Sequence, residues 1–236
     1  MIIRMETDAR AETPSDAFHP VASLWHTAVV LAVIVVLVFR GWFQAEHMRM
    51  MANPDHIRLY SRTILFEWLT LALVLVGVWL HGSSLLTVMG DRWRSVSQFL
   101  RHVGIALLFL VATIAFTSMA GSHGSAGEAT HFLLPQGRIE IALWGVLSIT
   151  AGICEEAVYR GYLQKQFIAS TRSVPAGIML SALAFGLAHS YQGFARASMI
   201  GVMGAMGGVL AHWCRSVRPG MIAHALQDVL GAFIRH

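Results

Sequence analysis

The sequence predicts an all-α, polytopic membrane bundle of about seven transmembrane helices. Composition comes first: 56% of the 236 residues are hydrophobic and only 13% are charged, where a soluble domain of this size is normally about a quarter charged. Mean hydropathy is +0.59. The third observation is a succession of long apolar runs parted by polar loops, with length for roughly six to eight spans at about 20 residues each. The formal net charge of +4 comes almost wholly from arginines scattered between the runs. That pattern suits loops anchored at lipid headgroups better than a nucleic-acid footprint.

Residues 1–23 read as a polar, mixed-charge amino-terminal tail and make a poor signal peptide, having a weak basic region and no clear cleavage site. Residues 24–236 read as a single transmembrane domain. Its first three spans are 24–43, 64–80 and 103–121. The run 139–164 starts as a fourth span and turns polar at "AGICEEAVYRGYLQ", 151–164. Runs at 175–190, 193–213 and 220–234 complete the seven, so that the motif-bearing core is 139–235. These last three are short and rich in small residues. Gly201, Gly204, Ala205, Gly208 and Ala211 predict close helix packing. The balance of arginines between odd and even loops places the amino terminus in the cytoplasm. The chain reads as a multi-pass protein of the cell's inner or plasma membrane.

Ionised groups in apolar runs mark functional sites by default. In a helix, Glu156 and Arg160 are four residues apart and share a face, so they pair. Glu155 points roughly 140° away from Arg160 at about 100° per residue, and is left to face something else. Cys154 reads as a small buried residue. Tyr159, one turn past Glu155, reads as core packing with a hydroxyl near enough to reach that carboxylate. Two further pairs repeat the four-residue spacing: Phe185 and His189 in "FGLAH", His224 and Asp228 in "HALQD". The first three spans offer only Glu67. The chemistry therefore falls in the carboxy-terminal half. Glu155 and His189 match in depth across a hairpin that turns near residue 171. His224 matches less well, lying about 10 Å past its turn near 217 while Glu155 lies about 24 Å before its own. Either the segment after Arg160 leaves the membrane axis, or the short helices reach different planes. Seven histidines near run ends (His26, His47, His56, His81, His102, His123 and His131) read as interfacial side chains.

The three motifs "EEAVYRG", "FGLAH" and "HALQD" resemble, in order and helix placement, the EExxxR, FxxxH and HxxxN/D motifs of the CAAX-protease and bacteriocin-processing family, the Ras-converting-enzyme-like intramembrane proteases. The resemblance implies a glutamic intramembrane endopeptidase acting on a membrane-associated or lipid-modified protein tail. Glu155 and His189 would activate water, and His224 and Asp228 would hold or polarise the scissile carbonyl. Glu156 and Arg160 would support the site. Many members carry Asn where this chain has Asp228. An ionised Asp cannot donate to an oxyanion, so Asp228 either accepts at that site or orients His224. No cofactor and no metal is expected, because Glu155 and Glu156 project in different directions and Glu156 already has Arg160.

Other membrane-protease signatures are missing: there is no HExxH and no GxGD, and "HGSAG" at 123–127 sits in a loop. A proton-coupled transporter, a di-haem carrier and a catalytically silent binding or immunity protein are the competing readings.

Overall fold

The computed structural model describes residues 18–51, 54–90, 92–119 and 131–234. Within these the protein is an all-α helix bundle. The helices are α1 (Leu24–Arg49), α2 (His56–Leu80), a short α3 (Leu86–Met89), α4 (Val96–Met119), α5 (Arg138–Thr171), α6 (Val174–Ala188), α7 (Phe194–Cys214) and α8 (Arg218–Ile234). Seven of them fall on the seven predicted runs, and five are long and apolar enough to cross a membrane. Helix α6, with 15 residues, and α8, with 17, are shorter. The "HGSAG" loop lies outside the described residues, as do residues 1–17 of the tail.

Helices α1 and α2 overrun their apolar runs, because backbone hydrogen bonding continues through Arg, His and Glu whether these face water or, like His56, find buried partners. Ser23 caps α1 by accepting from His26 N. Arg172 and Arg215, both with positive φ, stop α5 and α7, and Ser173 with Pro175 restarts the chain as α6.

Helix α5 is the axis of the bundle. It is α-helical over Arg138–Glu155, widens to a π-helix over Glu156–Leu163, and narrows again over Gln164–Thr171. Helices α2 and α8 pack along its first part, α6 along its last, and α3 on its middle. The short α3 can sit there because a Cβ on Gly161 would run into the Val88 carbonyl. Helix α4 stands outside, packed on α8 through Ala106 and Leu110 against Ala223.

The depth mismatch of His224 is resolved by the second of the two expected routes. Helix α5 continues without a break through Thr171. Helix α8 starts level with the π segment and runs antiparallel to α5: a Cβ on Gly220 would stand 2.8 Å from Glu156 Oε2, and one on Gly152 would stand 2.7 Å from the Met221 carbonyl. The turn before α8 therefore lies inward of the turn after α5, where Arg218 Nη2 donates to the Gly90 carbonyl at 3.4 Å.

Three of the histidines expected at the interface instead tie elements together. His26 bridges Tyr162 OH (2.7 Å) and the Leu73 carbonyl (3.1 Å). His56 is buried between Glu140 and the Phe132 carbonyl. His102 is buried and accepts from Trp93 Nε1. Hydropathy misses these contacts because an imidazole at a run end is equally able to reach water or a neighbouring carbonyl. His47 and His81 are exposed.

The end of the predicted tail is anchored. Val21 and Ala22 are buried, and their amides donate to Gln166 Oε1 at 2.7 and 3.3 Å. Gln166 Nε2 donates in turn to the Ala22 carbonyl and to Thr27 Oγ1. Gln166→Leu leaves those buried groups without partners. It is expected to lower stability by at least ~1–3 kcal/mol, the cost of one such group, and to expose the start of α1 to protease; thermal unfolding in detergent with limited proteolysis measures both.

Candidate active site

The six side chains singled out in the three motifs converge on one cavity of about 420 Å³, which opens among α1, α2, α5, α6, α7 and α8. Glu155 is the last residue of the α-helical part of α5, and Glu156 the first of its π segment. His189 caps the end of α6. His224 and Asp228 come from successive turns of α8.

Glu156 and Arg160 form the expected pair, Nη1 to Oε1 at 3.2 Å, with both side chains at most 5% exposed. Such a buried charge is tolerable only when paired and held. Glycines make the room for it. A Cβ on Gly204 or Gly207 would stand 3.4 Å from the Arg160 guanidinium, and one on Gly208 would stand 2.6 Å from Gln164 Oε1. The small residues of α7 thus serve two purposes. Gly201 packs helix on helix against Gly186 as predicted, while Gly204, Gly207 and Gly208 accommodate polar side chains of α5. The guanidinium also stacks on Phe185, 4.0 Å from the ring centre. Phe185 in turn lies 4.7 Å from the His189 ring and 5.0 Å from the Tyr159 ring. Tyr159 is buried packing, and Cys154 is buried as expected.

Glu155 is on the wetter side, 18% exposed. Its Oε1 faces His189 Nε2 at 3.9 Å and its Oε2 faces His224 Nε2 at 3.6 Å. These separations are too long for direct hydrogen bonds and suit a shared small molecule such as water. The His189 ring is oriented from behind, Nδ1 donating to the Phe185 carbonyl at 2.9 Å, so that Nε2 points at the carboxylate.

One expectation needs correcting. The sequence assigns Glu156 to Arg160 alone, yet Glu156 Oε1 also receives His224 Nδ1 at 3.1 Å. The two nitrogens of an imidazole point apart, so a ring seated beside two diverging glutamates touches both. His224 therefore has Glu156 at Nδ1, and Glu155 and Asp228 Oδ2 (3.5 Å) at Nε2. Asp228 is more exposed, at 37%, and approaches the same nitrogen as Glu155.

Sequence reasoning left Glu67 without a role. In the fold it lines this cavity, and its Oε2 is buried with no hydrogen-bond partner among the described residues. A lone acid inside an apolar span is the signal that could have found it. Gly207, Gly220 and the π segment left no comparable mark.

Residues 137–230 match the family model described as type II CAAX prenyl endopeptidase Rce1-like. This is the family that the three motifs resemble, and the matched segment carries all of them. No match is found among the curated proteins or the solved structures.

The shared Glu156 oxygen links support to chemistry. Glu156→Gln is expected to lower stability by up to ~3–5 kcal/mol, because Arg160 is left buried without its counter-charge. It should also slow turnover by roughly 10²-fold through a displaced His224. Adding Arg160→Gln should restore part of the stability and none of the rate. Unfolding midpoints and initial rates of the three proteins in one detergent separate the two effects; equal recovery of both in the double variant would reduce Glu156 to a purely structural group.

Proposed function

We infer that the protein is an intramembrane endopeptidase that hydrolyses a peptide bond in a membrane-associated or lipid-modified protein tail, acting in the cell's plasma or inner membrane. The observation that carries this reading is the placement of one partly wetted carboxylate, Glu155, between two histidine nitrogens at the wall of a cavity within the bundle. The similarity of residues 137–230 to the Rce1-like endopeptidases supports the same reaction class.

In this reading a water lodges between Glu155 Oε1 and His189 Nε2. Glu155 takes a proton from it as the oxygen attacks the scissile carbonyl carbon. The developing oxyanion needs a donor aimed at it, and His224 Nε2–H supplies one. Asp228, an acceptor when ionised, steers that N–H rather than binding the oxyanion. Glu156 holds the far side of the ring. The proton on Glu155 then passes to the departing nitrogen as the C–N bond breaks, leaving a new carboxylate and a new amine. The buried Glu156–Arg160 pair is a support and takes no part in proton transfer.

Glu155→Gln keeps size and removes basicity. Cleavage of a prenylated CAAX peptide is expected to fall by ~10²–10⁴, with the unfolding midpoint unchanged or raised, since a neutral amide costs less to bury than a carboxylate. Comparative proteomics of membranes holding wild-type or Glu155→Gln protein should show a tail that stays uncut. Full biological activity of the variant would point instead to a silent binding or immunity protein, and proton-coupled flux in liposomes to a transporter.

The mechanism uses no metal. Glu156 is already committed to Arg160 and His224, and Glu155 with His189 and His224 suffices to activate water and polarise the carbonyl. Chelator treatment of purified protein is expected to leave the rate unchanged. Loss of activity to chelator, restored by stoichiometric zinc, would overturn this part of the mechanism.

A further inference from the structure

Helix α1 lies outside the segment that matches the family model, residues 137–230, yet it grips the turn that follows His189. The residue types along its second half explain how. Gly41, Ala45 and Met48 recur at helical spacing, and Ala45 and Met48 are buried. Beside that stripe stand Trp42 and Arg49, seven residues apart and so nearly in line, about 10 Å from each other along the axis. Trp42 Nε1 donates to Ser190 Oγ at 2.9 Å, and Arg49 Nη2 donates to the Tyr191 carbonyl at 2.9 Å. Gly41 lets the Tyr191 ring come close: a Cβ there would stand 3.5 Å from it. Arg49 is itself held, by Glu46 at 3.5 Å and by the Phe132 ring, whose centre lies 5.0 Å from the guanidinium carbon.

The turn has little else to fix it. Ser190–Gln192 is a single 3-10 turn, followed by Gly193 at φ 95°. Its own bonds are Gln192 N to the His189 carbonyl and Gly193 N to the Ser190 carbonyl, each 3.0 Å, with Arg196 Nε donating to Gln192 Oε1 at 2.8 Å. Among the described residues, the hydrogen bonds that reach the turn from outside the α6–α7 hairpin come from α1. His189 stands past the last α-helical residue of α6. One hydrogen bond orients its ring, Nδ1 to the Phe185 carbonyl at 2.9 Å, and a single bond leaves the ring free to swing about it. Two rings limit the swing: Phe185, centred 4.7 Å away, and Tyr191, 6.3 Å away and inclined by only 27°. Phe185 is fixed in the core by Tyr159 and Arg160. Tyr191 takes its place from the α1 contacts, with Gln192 Nε2 donating to its hydroxyl at 3.1 Å.

We propose that Trp42 and Arg49 are positioning residues for His189: by clasping the Ser190–Gln192 turn they keep Tyr191 against the imidazole and set where Nε2 stands relative to Glu155, 3.9 Å away. This rests on the endopeptidase reading and goes beyond it, because it makes the first helix part of the working site. The matched segment carries the reacting groups, and α1 supplies the alignment of one of them. The tolerance is small: a misplacement of about 1 Å costs on the order of 10²-fold in rate.

The test uses full-length wild-type protein, Trp42→Phe, Arg49→Gln, Arg49→Lys and the double variant Trp42→Phe/Arg49→Gln in one detergent, with a synthetic S-farnesylated CAAX peptide as probe. Trp25→Phe is the control, since Trp25 lies at the other end of α1 and is 79% exposed. The readouts are kcat, KM, the unfolding midpoint and the His189 ring signals in ¹⁵N-histidine NMR spectra, assigned by their loss in His189→Gln. The double variant is expected to lose roughly 10- to 100-fold in kcat, with KM little changed and the His189 signals shifted or broadened. Its midpoint should stay near wild type, because Trp42 and Arg49 are both exposed. Arg49→Lys should keep more of the rate than Arg49→Gln, as an ammonium still donates to a carbonyl, and Trp25→Phe should change nothing. Should the double variant fail to fold, Ser190→Ala removes the acceptor of Trp42 from the turn side, and a several-fold fall in kcat is expected there too. A wild-type kcat in the clasp variants overturns the proposal and leaves the endopeptidase reading standing. So does a fall in kcat with the His189 signals unmoved, and so does a defect confined to KM, which would assign the clasp to substrate capture. Failure of wild-type protein to cleave the peptide removes the endopeptidase reading and this proposal together.

Discussion

The arrangement depends on a single buried charge pair. Glu156 and Arg160 are charged side chains within the bundle, and each is tolerable only because the other is there. Their geometry is set from three sides. The π turn of α5 carries both, Phe185 faces the guanidinium, and α7 and α8 come close enough only because Gly204, Gly207 and Gly220 have no side chains to obstruct them. The pair then fixes what stands in front of it: His224 is held through the oxygen that Glu156 shares with Arg160.

A gradient of wetness follows from this. Glu156 and Arg160 lie at the dry end, Glu155, His189 and His224 in an intermediate zone, and Asp228 nearest to water. Two adjacent residues of one helix thereby acquire opposite surroundings, a distinction that residue type alone does not make. The wide turn matters here. Helix segments with i→i+5 bonding are uncommon and recur at functional sites, and this one starts at Glu156 itself.

Much of this was legible in the sequence. Seven of the helices followed from the length and spacing of apolar runs, and the pairing of Glu156 with Arg160 from a four-residue spacing that survives a change of helix type. That Glu155, His189 and His224 would meet was suggested by their isolation in apolar surroundings. Contacts between distant elements were not legible. Helical geometry could not reveal that His224 touches both glutamates, because this depends on where α8 begins relative to α5, and that level is set by the short α3, four residues long, lying on Gly161. The tying histidines His26, His56 and His102 were hidden for the same reason: a polar atom at a run end has many possible partners, and local sequence does not rank them. The glycines of α7 were read as helix packing, and what they accommodate became visible only with the side chains of α5 in place.

The shortness of α6 has a consequence for the lipid around it. Fifteen residues span roughly 22 Å, less than the ~30 Å of a typical hydrocarbon core. Beside α5, with 34 residues, this mismatch is one-sided. Lipid meeting the face of α6 and the loop that follows must thin to cover it, drawing headgroups and water down toward the end of the helix where His189 stands. On the proposed endopeptidase reading, a polypeptide lying at the surface would reach Glu155 without crossing a full leaflet of hydrocarbon, and the thickness of the host membrane would become a determinant of access.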